Sequence, residues 1–329
     1  MSQSHSHLFS VAPMIDWTDR YCRYFHRQLT QHARLYTEMV VDEAILRGDR
    51  ARLLDFDTSE HPIALQLGGS DPAKLAEAAV IGEEWGYDEI NLNVGCPSDR
   101  VQSGRFGACL MQEPAVVAAC VKAMGEAVSL PVTVKCRIGV DDQIPEEVLP
   151  RFVDQIADQG VTTFIIHARK AWLQGLSPKE NRTIPPLDYD LVKRVAKNRP
   201  HLNIILNGGL FSLDDAEEQL KETAGVMLGR ALYEQPFLLS QVDEKFFGQR
   251  AAPIRRSEVA RHVARHFEAL DIPVWRYARH MLGLFHGCPG ARHWRREISQ
   301  NARSTLASAA WLTDLAQSVD RNPSKESSL

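Results

Sequence analysis

Short apolar or β-branched runs alternate along the chain with amphipathic stretches of helical period, the pattern of repeated βα units and a parallel sheet. The strand candidates are Leu8–Ala12, Leu35–Val40, Pro62–Leu67, Glu89–Asn93, Pro131–Cys136, Thr162–Ile166, Asn203–Leu206 and Gly225–Leu228. Between them, Asp71-Pro72, Glu113-Pro114 and Ile144-Pro145 mark helix starts, because proline fits the first helical position. Ser212 to Asp215 supplies a cap and early negative charge for another. Eight parallel strands with crossover helices predict an α/β fold, the TIM (β/α)8 barrel. No GxGxxG follows the first strand, as a Rossmann domain would require. After about residue 250 the strand pattern stops, and residues 254–318 read as three or four helices broken at Ile272-Pro273 and at Gly287-Cys288-Pro289-Gly290. The expected organisation is a barrel over 1–250, a C-terminal helical-bundle domain over 251–321, and a disordered tail over 322–329.

With 44% hydrophobic and 24% charged residues, the 329-residue chain can bury a large core without disulfides or metals. Its six cysteines form no CxxC pair, residues 1–7 are polar, and no run approaches a membrane span. A monomer with free thiols in the cytoplasm, bound to no membrane and no metal, is the expectation. The net charge of −4 conceals an asymmetry: residues 251–329 carry 12 Lys and Arg against 7 Asp and Glu, whereas the first 250 carry 26 against 35. All but one of those 12 are arginine, so a basic end on an acidic body points toward a polyanion, although basic surface helices also serve solubility.

In a TIM barrel the chemistry sits at the C-terminal ends of the strands. Here those ends carry Pro13 and Met14, Gln66, Asn91 and Asn93, Lys135 and Arg137, His167 and Arg169, and Asn207 in turn. A single strand-end histidine is usually structural; a ring of polar residues around one rim is the signal. The seventh and eighth loops are the short glycine turns Asn207-Gly208-Gly209 and Gly229-Arg230, placed where TIM barrels commonly bind a phosphate. Ordinary left-handed turns are the plainer reading of such glycines. A lysine such as Lys135 can place charge beside a reduced flavin, and FMN, with one phosphate, suits a barrel better than a dinucleotide does.

The fourth strand runs into Asn91-Leu92-Asn93-Val94-Gly95-Cys96-Pro97-Ser98, where Gly95 and Pro97 place Cys96 on a stiff turn. An ordinary thiol titrates near about 8.5 and so can act as an acid at neutral pH. Reduction of a pyrimidine C5–C6 bond needs a proton on one carbon and a hydride on the other. Burial as a small hydrophobe and nucleophilic catalysis are the alternatives for this cysteine, and no histidine adjoins it in sequence. Gly104 to Leu110 reads as a flexible glycine-rich loop.

Taken together, Ala12-Pro13-Met14 with Asp16-Trp17-Thr18-Asp19, Gln66-Leu67-Gly68-Gly69, the Asn91–Pro97 run, Val134-Lys135 with Arg137, His167-Ala168-Arg169, Asn207-Gly208-Gly209 and Gly229-Arg230 resemble the tRNA-dihydrouridine synthase family. The likeness spans nearly the whole chain. Lys170–Arg182 and Gly287–Arg295 resemble the family's bacterial A subgroup. The resemblance implies FMN lined by Pro13, Met14, Gln66, Lys135, His167, Asn207, Gly208, Gly209, Gly229 and Arg230, with NADPH as a transient reductant. It implies hydride transfer from flavin N5 to uracil C6 and protonation of C5 by Cys96, in the tRNA D-loop at positions 20 and 20a. Asn93 and Arg137 would meet the uridine; Lys179, Arg182, Arg292 and Arg295 would meet the tRNA, with the helical domain as its platform. The target base would have to be flipped out of the folded RNA.

A small-molecule flavin reductase of the dihydroorotate or dihydropyrimidine dehydrogenase type would share the barrel, but not the basic helical end. A non-catalytic RNA-binding barrel would be colourless. His262 and His266 have helical metal-ligand spacing, yet Val263 stands where HExxH has glutamate, so helix-surface histidines are the better account.

Overall fold

The computed structural model describes residues 7–98, 104–249 and 252–321. Its contacts divide the chain into two units, the first comprising the chain through Ile15, Arg34–Asp55 and His61–Gly229, the second comprising Asp16–Ala33, Phe56–Glu60 and the chain from Arg230 onward.

The first unit is the expected parallel barrel. Its strands are β1 (Phe9–Val11), β2 (Leu35–Tyr36), β3 (Val40–Val41), β4 (Ile63–Gly68), β5 (Glu89–Val94), β6 (Val132–Arg137), β7 (Thr163–His167), β8 (Asn203–Asn207) and β9 (Gly225–Leu228). The ladder order is β1-β9-β8-β7-β6-β5-β4-β2, with every pairing parallel. The gap between β1 and β2 is bridged by Val11 N–H to Arg34 O at 2.9 Å and Arg34 N–H to Phe9 O at 3.1 Å.

One expected strand, Leu35–Val40, is split. Tyr36 pairs with Ala64 but Val40 pairs with Leu67, so three residues face two and the ladder bulges. The cause is Thr37, whose hydroxyl accepts the Gln66 N–H at 3.0 Å in place of a main-chain carbonyl. Conversely, Arg137, His167 and Asn207 lie within the ends of their strands rather than beyond them.

The proline signals are obeyed. Helices begin at Pro72, Pro114 and Pro145, and Asp71 accepts from the N–H groups of Ala73 and Lys74. Ser212 caps Leu213–Leu220 through Asp215 N–H. Inside the barrel, Ala12, Tyr36, Ala64, Ile165, Ile205 and Met227 form one buried apolar cluster.

The second unit departs from the expected boundary at residue 250. It begins at Arg230 and also takes two earlier segments, because their buried polar groups find partners there. Asp243 accepts from the Thr30 hydroxyl (2.5 Å) and from the N–H groups of Gln31 (2.7 Å) and His32 (3.2 Å). Asp19, which caps helix Arg20–Arg27, also binds Arg279 at 2.6 Å and His280 at 3.0 Å. Arg23 pairs with buried Glu60 at 2.7 Å. The C-terminal helices are Arg256–Ala269, Val274–Ala278, Ala291–Asn301 and Ala309–Arg321, interrupted near the expected breaks. Within them His266 stacks on Tyr24 with ring centroids 3.7 Å apart and faces Asp57. The tail over 322–329 lies outside the described residues, and among the described residues no helix is long and apolar enough to cross a membrane.

Gly225 opens β9 against the first strand. A Cβ there would stand 2.0 Å from the His7 carbonyl oxygen and 2.8 Å from Ile205 Cδ1. Gly225→Ala is expected to destabilise the barrel by about 1–3 kcal/mol. Urea unfolding checks this: the midpoint should fall at constant slope, and an unmoved midpoint would refute the tight closure.

Candidate active site

Strand alternation puts Glu89, Asn91 and Asn93 on the interior face of β5, in register with Gln66 of β4 and with Thr133 and Lys135 of β6. The side chains of Gln66, Glu89, Asn91 and Thr133 are essentially inaccessible, and Asn93 is nearly so. They form a continuous series of hydrogen bonds. Asn93 Nδ2 donates to Gln66 Oε1, Gln66 Nε2 to Asn91 Oδ1, and Asn91 Nδ2 to Thr133 Oγ1, each at 2.8 Å. Thr133 donates to Glu89 Oε1 at 2.6 Å.

Glu89 is the acceptor at the foot of this series. Tyr36 OH donates to it at 2.8 Å, His7 Nε2 lies 2.6 Å away and Arg34 Nη1 3.5 Å away. Burial by itself would raise its pKa, but the His7 and Arg34 charges, with the His7 and Thr133 hydrogen bonds, outweigh it and hold the carboxyl at about 2. Burial, and then the same carboxylate, push the Tyr36 phenol well above its ordinary value.

At the head, Asn93 Oδ1 accepts from Gly95 N–H (3.1 Å) and Cys96 N–H (3.0 Å), fixing the turn that bears the thiol. Cys96 is partly exposed, its sulfur 3.5 Å from Ser98 Oγ, and its carbonyl accepts from Ala108 N–H at 2.9 Å. Ala108 belongs to a 3-10 helix, Gly107–Gln112, so the second half of the stretch expected as a flexible loop is instead helical, with Leu110 and Met111 buried, while Gly104 and Arg105 are exposed. The other five cysteines are also free, and burial pushes Cys120 and Cys136 up to about 12.

Lys135 stands on the next strand with its ammonium 3.0 Å from Asn207 Oδ1. Crowding by protein, and then the neighbouring Arg137 charge, draws it down from its ordinary value to about 8. Asn207 is held in turn by the Met227 carbonyl at 2.7 Å. Gly208 and Gly209 follow with φ of +104° and +71°. A Cβ on Gly208 would strike the His167 ring at 2.4 Å, so glycine is required there for approach as well as conformation. After β9, Gly229 lies beside Ala12 and Met14, where a Cβ would stand 3.4 Å from each. Contacts thus join Gln66 with Asn91 and Asn93, Lys135 with Asn207, His167 with Gly208, and Met14 with Gly229, while Arg230 begins the second unit.

Arg137, expected to meet the uridine, is an anchor for backbone. It is 3% exposed, and its guanidinium donates to the carbonyl oxygens of Gly95 (3.1 Å), Lys170 (3.3 Å) and Asn181 (2.9 Å). It ties the Cys96 turn to the insertion after β7. In that insertion Lys179 and Arg182 are exposed, and buried Asn181 braces the loop through Trp172 N–H, Trp172 O and Leu176 O. In the second unit Arg292 and Arg295 are exposed on helix Ala291–Asn301, whose Trp294 is buried and donates to Met281 O at 2.8 Å. Glu89, Thr133 and Asn181 were not singled out by the sequence. A glutamate opening an apolar strand was the available signal for the first; Thr133 and Asn181 had none.

A family model described as dihydrouridine synthase matches residues 10–320. This chain belongs to the dihydrouridine synthase family. It is 55% identical over 296 residues to the tRNA-dihydrouridine(20/20a) synthase of Xanthomonas axonopodis pv. citri, covering 89% of this chain and 88% of that one. It is 52% identical over 322 residues to the protein of the same name from Vibrio parahaemolyticus, covering 97% and 98%. The Salmonella typhimurium protein of that name is 53% identical over 308 residues, with 92% of each chain covered.

The Glu89 carboxyl is acidified on folding, so its ionisation stabilises the native state above the unfolded carboxyl pKa and stops doing so as pH falls through about 2. The stability difference between the wild type and Glu89→Gln should therefore be constant above about pH 5 and shrink below it. Denaturant titrations at stepped pH check this; a difference independent of pH down to 2 would contradict it.

Proposed function

We propose that this protein reduces the C5–C6 bond of uridine to 5,6-dihydrouridine in the D-loop of tRNA, at positions 20 and 20a, with FMN as cofactor and NADPH as reductant. The observation that carries the reading is Cys96, held by Asn93 on a fixed turn over the barrel end where Lys135, Asn207 and two positive-φ glycines converge. Those residues suit a flavin mononucleotide: Gly208, Gly209 and Gly229 carry no Cβ to hold a phosphate away from the main chain, Arg230 follows directly in the chain, and a half-buried ammonium suits the anionic edge of the ring. Pro13, Met14, Gln66 and His167 complete the set. When bound, reduced FMN supplies the hydride that uracil C6 receives.

The protein's own part is the proton. Cys96 gives its sulfur-bound hydrogen to C5 and recovers it from solvent, so hydride and proton together saturate the bond. Asn93 and Arg137 act on this step by holding the cysteine turn. The relatives' name carries the substrate to this chain, and the exposed Arg292 and Arg295, with Lys179 and Arg182, offer forked and point-charge donors to RNA phosphates. A flipped uridine would reach the barrel mouth without the enzyme reading its neighbours' sequence.

Cys96→Ala should retain bound flavin and oxidise NADPH normally while dihydrouridine formation falls by about 10²–10⁴-fold. Single-turnover assays with unmodified tRNA check this, and normal product formation would remove the cysteine from the chemistry. Arg292→Ala with Arg295→Ala should raise KM for tRNA and reduce its salt dependence by about two phosphate contacts, with NADPH oxidation unchanged. An unaltered KM would place the interface elsewhere.

A further inference from the structure

The series from Cys96 to Glu89 has a direction. At its head are two backbone N–H groups, of Gly95 and Cys96, which can only donate. At its foot is a carboxylate, which when ionised can only accept. Three carboxamides and one hydroxyl lie between them, and each carboxamide has an acceptor end and a donor end. One orientation satisfies every contact: all three oxygens face Cys96 and all three amino groups face Glu89. Reversal would set the Asn93 amino group against the Gly95 and Cys96 N–H groups, donor against donor.

We propose that Glu89 is a positioning residue for Cys96, acting through Thr133, Asn91, Gln66 and Asn93 to fix the turn that presents the thiol at the barrel mouth. The importance of this for turnover rests on the proton-donor reading of Cys96; the hold on the turn does not. Glu89 is suited to the task because Tyr36, His7 and Arg34 fix it from other sides, so it offers Thr133 a stationary acceptor. Thr133 is the joint, since its hydroxyl accepts from Asn91 and donates to Glu89 in the same instant. A valine there keeps the shape and cuts the series while leaving the other partners of Glu89 in place. A serine keeps the hydroxyl.

The test is the rate at which iodoacetamide alkylates Cys96 in the full-length, flavin-loaded protein, followed by mass spectrometry of the Cys96 peptide, with the peptide of Cys288, a partly exposed thiol of the second unit, as an internal control and thermal unfolding measured in parallel. Thr133→Val should change Cys96 alkylation by about threefold or more and lower dihydrouridine turnover by about tenfold, with Cys288 alkylation unmoved. Thr133→Ser should stay within about twofold of the wild type in both. Should Thr133→Val fail to fold, Asn91→Leu cuts the series one link nearer Cys96 and should behave in the same way. Wild-type alkylation in the folded valine or leucine variant overturns the proposal, as does a serine variant as altered as the valine one. If Cys96→Ala keeps full turnover, the proton-donor reading fails, and the alkylation measurement still decides whether Glu89 holds the turn.

Discussion

A carboxylate enclosed in a parallel barrel costs several kcal/mol unless fixed donors surround it, and Glu89 is surrounded on every side. His7, Arg34, Tyr36 and Thr133 reach it from three different segments of the first unit. Much of the site depends on that arrangement. The strand period carries the polar face from Glu89 to Asn91 and Asn93, and the parallel register sets Gln66 and Thr133 beside them. The barrel interior is thus divided: carboxamides across β4 to β6, and an apolar cluster of Ile165, Ile205, Met227, Ala12, Ala64 and Tyr36 beside them. Buried polar groups of this kind are stable only when all are satisfied, and a satisfied network admits little movement. A rigid base under a partly exposed cysteine is what proton transfer to a positioned carbon requires.

Above the interior, Arg137 performs a second act of positioning. A buried guanidinium with three carbonyl acceptors is an anchor for backbone, and here the carbonyls belong to the Cys96 turn and to both ends of the insertion after β7. The loop that bears the thiol and the loop that bears exposed Lys179 and Arg182 therefore share one support. Cysteine turn and basic insertion are kept in a constant relation by a residue that meets solvent hardly at all.

The second unit follows a different logic. Its helices do not simply follow the barrel in the chain; they recruit Asp16–Ala33 and Phe56–Glu60 from the early connections. The recruiting contacts are polar and specific, with Asp243 gathering three donors and Asp19 serving both as a helix cap and as the partner of Arg279 and His280. Burial lowers the His280 pKa, and the Asp19 contact opposes it. Arginines at Arg292 and Arg295 then stand outward on a helix whose buried Trp294 fixes its rotation, so charge faces solvent because the indole faces the core.

Eight strand positions, the proline-marked helix starts and the glycine turns could be read from the chain because each depends on local chemistry: period-two burial, a missing N–H, a positive φ. The ring of Gln66, Asn93, Lys135, His167 and Asn207 was legible for the same reason, since a strand's end in a barrel is a fixed place. The bulge at Thr37 was not, because it turns on one hydroxyl meeting one N–H of a strand almost 30 residues away. Nor were the true bounds of the second unit, or the duty of Arg137, whose acceptors are carbonyl oxygens that carry no side-chain signature. Residue types and spacing determined the barrel and its rim. Tertiary structure alone decided which of those polar groups touch, and hence that Glu89, separated from the Cys96 turn by four side chains, sits at the foot of the series that holds it.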